Sequence, residues 1–499
     1  MTNHRKTNPG RGSLLLLGSL ALLAPACADD PAQNPPPVVG PTVLDKFKPE
    51  GCGFEVAPRP EYLDFSKGST AVSAAPDIRR VRLGLGGNVT VGAEGRADPA
   101  TSAGFAWQTD LETLVSEVQW GTDPDPAKWP AENRRSGVTW GTPAGFLSPQ
   151  GDERMHEAYI CGLTPATTYY YRVGGGPAGK EVWSEVQSFT TTPKDPGAEV
   201  ILGVSGDARG QSNDAWRLIQ RRMMKAGATA QLFSGDMIDL APDQLEWNKW
   251  LDLAAKDTDG TPLTLGQLLT LSTHGNHENH TTYFYTSVVL PQDIATFPDY
   301  GELFFSVDIG PVHVVVVDDY GITLPQVDTV YQAALGAWLE KDLAAANANR
   351  ANVPWIVAMH HHAEFSSSSH GDDGEVLRGR EFFVPIWDKH HVDLIVAGHD
   401  HNYERSKPLS GPLSGATKDP VVHDTPAEGT LYMVCAGAGA DPYGNGTSAF
   451  TQTSRTYDGV SSYGFYSFLK INKTSLTLES HELRADESDP VIDTITINK

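Results

Sequence analysis

The chain has 499 residues, enough for two or three domains, and its 39% hydrophobic content with only 20% charged residues excludes wholesale disorder. Lys and Arg number 38 against 62 Asp and Glu, a formal net charge of -24. A field of that sign repels nucleic acid and anionic lipid, which excludes a general DNA or RNA binder, and an anionic substrate would need local positive charge such as bound metal.

Arg5, Lys6 and Arg11 precede an apolar run from Leu14 to Ala24. The run is too short to span a bilayer, and its basic flank fits an export signal over residues 1–27. Ala24-Pro25-Ala26-Cys27 resembles the lipobox of bacterial lipoproteins, which implies a lipid anchor on Cys27 at the cell envelope. Simple cleavage after Ala26 would instead leave a secreted protein. Residues 28–50 begin with a Pro-, Ala- and Asp-rich stretch that reads as an extended tether. Of the remaining cysteines, Cys52 and Cys161 form a bridge in an oxidising compartment, or all three, with Cys435, are small buried apolar groups.

From 51 to 195 the pattern is β. Short alternating runs such as Val115 to Trp120 are separated by Gly, Pro and Asp clusters. Leu163 to Val173 resembles the end of a fibronectin type III or immunoglobulin-like sandwich, with a Tyr packed at a strand corner. Thr192 to Gly197 reads as a linker. From 198 to 499 the period changes. Continuous apolar runs at Val200–Val204, Ala230–Phe233, Leu268–Ser272, Val312–Val317, Trp355–Met359, Leu394–Ala397 and Leu431–Val434 predict buried strands. Helical patterns at Asp214–Lys225, Tyr331–Ala346 and Arg380–His391 alternate with them, which predicts an α/β layered domain.

Twelve of the 16 histidines lie between His274 and His401. Polar, ligand-type residues follow the buried strands: Gly206-Asp207, Gly235-Asp236, Gly275-Asn276-His277-Glu278, His360 and Gly398-His399-Asp400-His401. In α/β sheets such loops meet at the carboxyl ends of the strands, and carboxylates, an amide and imidazoles suit two first-row metal ions.

The ordered set resembles the metallophosphoesterase superfamily, and its surroundings resemble the purple acid phosphatases. Val357-x-x-His360, Gly398 to Arg405, Trp338 to Leu343 and Val392-Asp393-Leu394 carry that likeness, which covers about Phe54 to Glu482. It implies a layered α/β/β/α metallophosphoesterase domain behind an all-β immunoglobulin or fibronectin III-like sandwich. It also implies that Asp207 and His401 hold one ion, Asp236 bridges, and Asn276, His360 and His399 hold the other, the pair being Fe, Mn or Zn. His277 and His370 would face the substrate.

Two departures stand out. Asp207-Ala208-Arg209 replaces the D-x-H of many metallophosphoesterases, and arginine is no ligand. Arg209 is instead a candidate phosphate clamp or a salt-bridging surface residue. Asp239 stands where the purple enzymes use a tyrosine, so a colourless protein is expected, with Asp239 ligating the first ion or orienting a ligand from behind. His361 and His362 are read as supporting neighbours of a ligand, His274 and His280 as structural.

These readings converge on an exported metal-dependent phosphatase that hydrolyses small phosphomonoesters by attack of a metal-bridging hydroxide. A phosphodiesterase on the same metals, or a surface binding module with a degenerate site, are the alternatives.

Overall fold

The computed structural model describes residues 46–59, 61–142, 153–210, 214–411 and 419–499. The leader, Cys27 and nearly all of the tether lie outside these residues. No helix among the described residues is long and apolar enough to cross a membrane.

The β region folds into two five-stranded sheets. In one, Leu63–Lys67, Val138–Gly141, Arg154–Cys161, Ser102–Thr109 and Arg79–Gly84 lie side by side in that order. In the other, Gln187–Thr190, Thr168–Gly175, Glu117–Gly121 and Arg134–Ser136 are neighbours, with Val182–Trp183 pairing off Thr168–Gly175. Alternate residues of the two sheets meet in one core, where the Phe105 ring lies 4.4 Å from Tyr171 and 5.7 Å from Phe189. The Tyr169 hydroxyl accepts the Thr164 N–H at 3.0 Å and closes the turn before its strand. Cys52 and Cys161 are bridged, which ties the segment entering the domain to the strand Arg154–Cys161. Cys435 is a buried free thiol.

The second domain is α/β. A six-stranded sheet runs Thr270–Ser272, Ala230–Phe233, Val200–Ser205, Ser462–Ile471, Ser475–Arg484, Val491–Asn498. The first three strands are parallel and the rest antiparallel. A seven-stranded sheet runs Phe304–Ile309, Val312–Val317, Trp355–His362, Leu394–Gly398, Leu431–Cys435, Tyr403–Ser406, Thr451–Arg455. Both sheets and the helices share one core: Val204 and Leu232 from the first sheet, Val314 and Ile395 from the second, Trp216, Leu339 and Trp387 from helices.

Local chemistry sets the helix ends. Ala215–Ala226 stops at Gly227, whose φ of 65° lets its N–H reach back to the carbonyls of Met223 and Met224. Thr329–Ala348 begins where the Asp328 carboxylate accepts the N–H groups of Val330 and Tyr331. The helix Gly374–His390 starts six residues before the apolar pattern suggests, because Gly374 and Gly379 weaken the helical signal of its first turns and Pro385 interrupts the periodicity. Gln244–Ala255 escaped the sequence reading, although Trp247, Trp250, Leu251 and Ala254 form its buried face.

One irregularity positions the site. Trp355–His362 pairs in parallel with Leu394–Gly398, Met359 opposite Val396 and His362 opposite Gly398. Three steps on one strand match two on the other. This bulge adds a residue and shifts the inward–outward alternation at His360-His361-His362.

Candidate metal centre

The loops that follow Val200–Ser205, Ala230–Phe233, Thr270–Ser272, Trp355–His362 and Leu394–Gly398 meet at one place. Their approach is so close that side chains are excluded at the glycines. A Cβ on Gly275 would lie 2.1 Å from Asp236 Oδ1, and one on Gly398 would lie 2.4 Å from Asp207 Oδ2. Asp207, Asp236 and His399 take left-handed backbone conformations, with φ of 59°, 57° and 69°. Such strain persists where the surroundings over-determine it, and it clusters at functional sites.

Glu278 knits two of these loops together. Its buried carboxylate accepts N–H groups of Asp236 at 2.9 Å, Met237 at 2.8 Å and Gly275 at 2.6 Å. Burial, reinforced by Asp236, raises its pKa to about 7.

Two donor groups lie side by side, Asp207, Asp236 and His401 in one and His361, His362 and His399 in the other, and Asp236 Oδ1 reaches to 3.4 Å from His361 Nε2. In the first, Asp207, Asp236 and His401 gather ligand atoms within 4.8 Å of one another. His401 Nδ1 donates to the Asp441 carbonyl at 2.5 Å, which leaves Nε2 with its lone pair, 3.5 Å from Asp207 Oδ1. In the second, His361 Nδ1 donates to the Ser234 carbonyl at 2.8 Å. Its Nε2 lies 3.0 Å from Asn276 Oδ1 and 3.4 Å from Asp236 Oδ1. His399 Nδ1 lies 3.1 Å from the same Asn276 oxygen. Such carbonyl bonds on the far ring nitrogen are how proteins aim imidazoles at metals.

The electrostatics are those of a cation site. Asp207 Oδ2 and His399 Nε2 are buried with no hydrogen-bond partner, a costly state unless a ligand satisfies them. Burial, with His362, His361 and His370 around it, holds His399 well below the usual imidazole range and therefore neutral. Burial alone would lower His361, but Asp236, Asp207 and Asp319 outweigh it and lift it to about 10. Carboxylates that force a proton onto a buried imidazole would equally attract a metal ion. The donors fit a pair of ions.

Two expected ligands are displaced. His360 is not in the donor group. Its Nδ1 is 3.1 Å from Asp319 Oδ2 and its Nε2 is 2.9 Å from Glu364 Oε1, so both nitrogens are taken, and the ring stacks on Phe383. The bulge turns His361 inward in its place. Asp239 is also outside the donor group. Its half-exposed carboxylate lies 3.4 Å from Arg209, and its backbone carbonyl accepts His277 Nδ1 at 2.7 Å.

The substrate-facing candidates line the rim. Arg209 is mostly buried and, besides Asp239, reaches four groups: His277 Nε2 at 2.5 Å, His401 Nε2 at 3.3 Å, the Tyr443 hydroxyl at 2.7 Å and Asp236 Oδ2 at 3.6 Å. His277 donates its backbone N–H to Asp236 Oδ1 at 3.1 Å. His370 is held by Asp400 at 2.8 Å, its ring 4.6 Å from His399 and 5.0 Å from Tyr443. The Tyr443 ring stacks on His401 at 4.0 Å. Sequence reasoning missed Tyr443, which sits in a Gly- and Asp-rich loop with no periodic signal.

Two layered sheets with two adjoining donor groups at their strand ends define a metallophosphoesterase-type protein. Comparisons with known proteins agree. A family model for the purple acid phosphatase N-terminal domain matches residues 91–191, and one for the calcineurin-like phosphoesterases matches residues 201–403. A purple acid phosphatase from Glycine max is 28% identical over 333 residues, covering 61% of this chain and 62% of its own. An Fe(3+)-Zn(2+) purple acid phosphatase of Arabidopsis thaliana is 28% identical over 341 residues, with the same coverage. The chain thus spans about three fifths of the length of the curated relatives it matches. The solved purple acid phosphatase from yellow lupin seeds shares the fold, with a TM-score of 0.64 at 17% identity over 84% of this chain and 74% of that one. In family terms, the chain joins a region like the purple acid phosphatase N-terminal domain to a calcineurin-like phosphoesterase domain.

Proposed function

We propose that this chain is an exported, dinuclear metal-dependent phosphatase acting on small phosphomonoesters. The observation that carries the reading is that two donor groups adjoin, Asp207, Asp236 and His401 beside His361, His362 and His399, with Asp236 Oδ1 3.4 Å from His361 Nε2. Asp207, Asp236 and His401 would hold one ion; Asp236, Asn276, His361 and His399 the other, as Fe, Mn or Zn. When bound, such a pair supplies Lewis acidity toward phosphoryl oxygens and acidifies water.

The chain's own groups do the rest. Arg209 presents planar N–H donors that match phosphate oxygens, and Tyr443 fixes one edge of the fork. The His277 Nδ1–H donates a hydrogen bond to the Asp239 carbonyl, so Nε2 is the nitrogen that can take up and release a proton. A phosphoryl group that draws Arg209 forward frees the Nε2 lone pair, which takes a proton from solvent; the imidazolium so formed can then pass that proton from Nε2 to the departing alkoxide. His370, held by Asp400, offers a second donor beside Tyr443. The local cations answer the acidic surface charge that would otherwise repel an anionic substrate.

The basic-then-apolar leader supports export, with Cys27 as a lipid anchor. The test is a panel of aryl monophosphate and bis-aryl phosphate esters, with and without chelator. Faster, chelator-sensitive monoester turnover is expected. Faster diester turnover would make it a phosphodiesterase, and metal-independent or absent turnover of both would end the reading.

A further inference from the structure

A further cluster of metal-type donors lies apart from the two adjoining groups. His274, His280 and Asp318 each offer one ligand atom, all within 4.8 Å of one another. His274 is fully buried, and neither of its ring nitrogens has a hydrogen-bond partner. A buried polar atom without a partner is costly, so an imidazole left with two points to a missing ligand. Its ring lies on Phe284, with centroids 3.7 Å apart, which fixes its plane. Nδ1 is 3.6 Å from Asp318 Oδ2.

The other two donors are equally well placed. Asp318 follows the strand Val312–Val317 and is 1% exposed; its Oδ1 accepts the Tyr320 N–H at 2.8 Å, and its Oδ2 faces His280 Nε2. The Thr273 hydroxyl donates to the Val317 carbonyl at 2.7 Å, so the backbones carrying His274 and Asp318 are stitched to each other. The His280 side chain is 34% exposed, which gives an ion a way in and leaves one coordination position for water. Arg59, which stacks on the neighbouring Tyr285 at 3.0 Å, is paired with Glu302 at 3.7 Å.

We propose that His274, His280 and Asp318 bind a third divalent ion, of the Zn²⁺ class that two imidazoles and one carboxylate favour. This site is separate from the hydrolytic pair.

The test strips the full chain with chelator, reloads it with Zn²⁺ alone, removes free metal and measures bound metal per chain. The wild type is compared with His280→Ala and with His280→Gln, which keeps a hydrogen bond to Asp318. Both variants are expected to bind one ion fewer than the wild type and to retain hydrolytic turnover within about twofold. The readout is the difference between proteins, so it holds whatever number of ions the Asp236 group takes; His361→Ala lowers that group's occupancy and leaves the difference intact. Thermal unfolding of the chelated proteins confirms that the variants are folded. Equal metal content in the wild type and either folded variant would overturn the proposal and leave an Asp–His hydrogen bond only.

Discussion

Replacing His360 and His361 separately tests the placement of the site, because the structure gives these neighbours opposite duties. His360 lies between Asp319 and Glu364, each 1% exposed, and burial is outweighed by these carboxylates so that its pKa rises to about 10. His360→Ala leaves two buried carboxylates without the cation between them. Glu364 keeps the Trp387 indole N–H at 2.7 Å, but its Oε2 has no partner. Breaking a buried pair in this way costs about 3–5 kcal/mol, which for a domain of this size lowers the melting temperature by roughly 10 °C. His361→Ala removes a donor from the ion pair. Asp236 keeps Arg209 and the His277 N–H, so the metal-free stability falls less, by about 1–2 kcal/mol. Turnover should fall by at least about 100-fold, equivalent to roughly 3 kcal/mol of lost transition-state stabilisation. Calorimetry of chelated protein, bound-metal content and kcat/KM on an aryl phosphate read the two effects separately. An inactive but fully stable His360→Ala, beside an active His361→Ala, would refute the geometry.

Arg209→Ala should lower kcat/KM on a monoester by roughly 10- to 100-fold, the worth of a charge-assisted pair of hydrogen bonds, with metal content unchanged; Arg209→Lys should recover little, since the fork is lost. Unchanged kinetics would assign Arg209 to internal pairing alone. The Cys52–Cys161 bridge spans a sequence separation of 109 residues. Loop entropy predicts that its loss costs up to about 4–5 kcal/mol, so the Cys52→Ser, Cys161→Ser double variant should melt well below the wild type in scanning calorimetry. His313 is buried, which lowers its pKa, but Asp342 and Asp308 outweigh that and raise it to about 9. A raised histidine stabilises fully below its unfolded pKa and loses that contribution as pH climbs through the folded one. The urea-derived stability advantage of wild type over His313→Gln should therefore shrink by about 3 kcal/mol between pH 6 and pH 10, and a pH-independent difference would remove this assignment.

The buried parallel strands were legible because each is a continuous apolar run that ends in a ligand-type residue. Ala230–Phe233 and Val312–Val317 have the expected boundaries. The three strands from Ser462 onward were not assigned, since Ser475–Arg484 alternates Leu with Thr, Glu, Ser and His and lacks a continuous signal. Within the site, Asp207, Asp236, Asn276, His399 and His401 follow glycines or lie in the same short loops after buried strands, and that placement together with the resemblance to the metallophosphoesterases brought them together. The His360-His361-His362 run defeated the same logic. Three identical side chains carry no register information, and a one-residue bulge decides that His361 and His362, not His360, join the donor group. Asp239 was judged by position, yet its carboxylate turns toward the guanidinium of Arg209 rather than toward Asp207. Tyr443 is positioned by its N–H bond to the His401 carbonyl at 3.1 Å, a long-range contact with no local signature.

The Glu278 clasp bears on how the protein can be handled. Three N–H groups from two loops converge on one carboxylate, so the loop framework is braced by the chain itself and not by its inorganic guests. Dialysis against a chelator should then yield an empty but ordered receptor, one that can be refilled with a spectroscopically visible ion such as Co²⁺ without a refolding step.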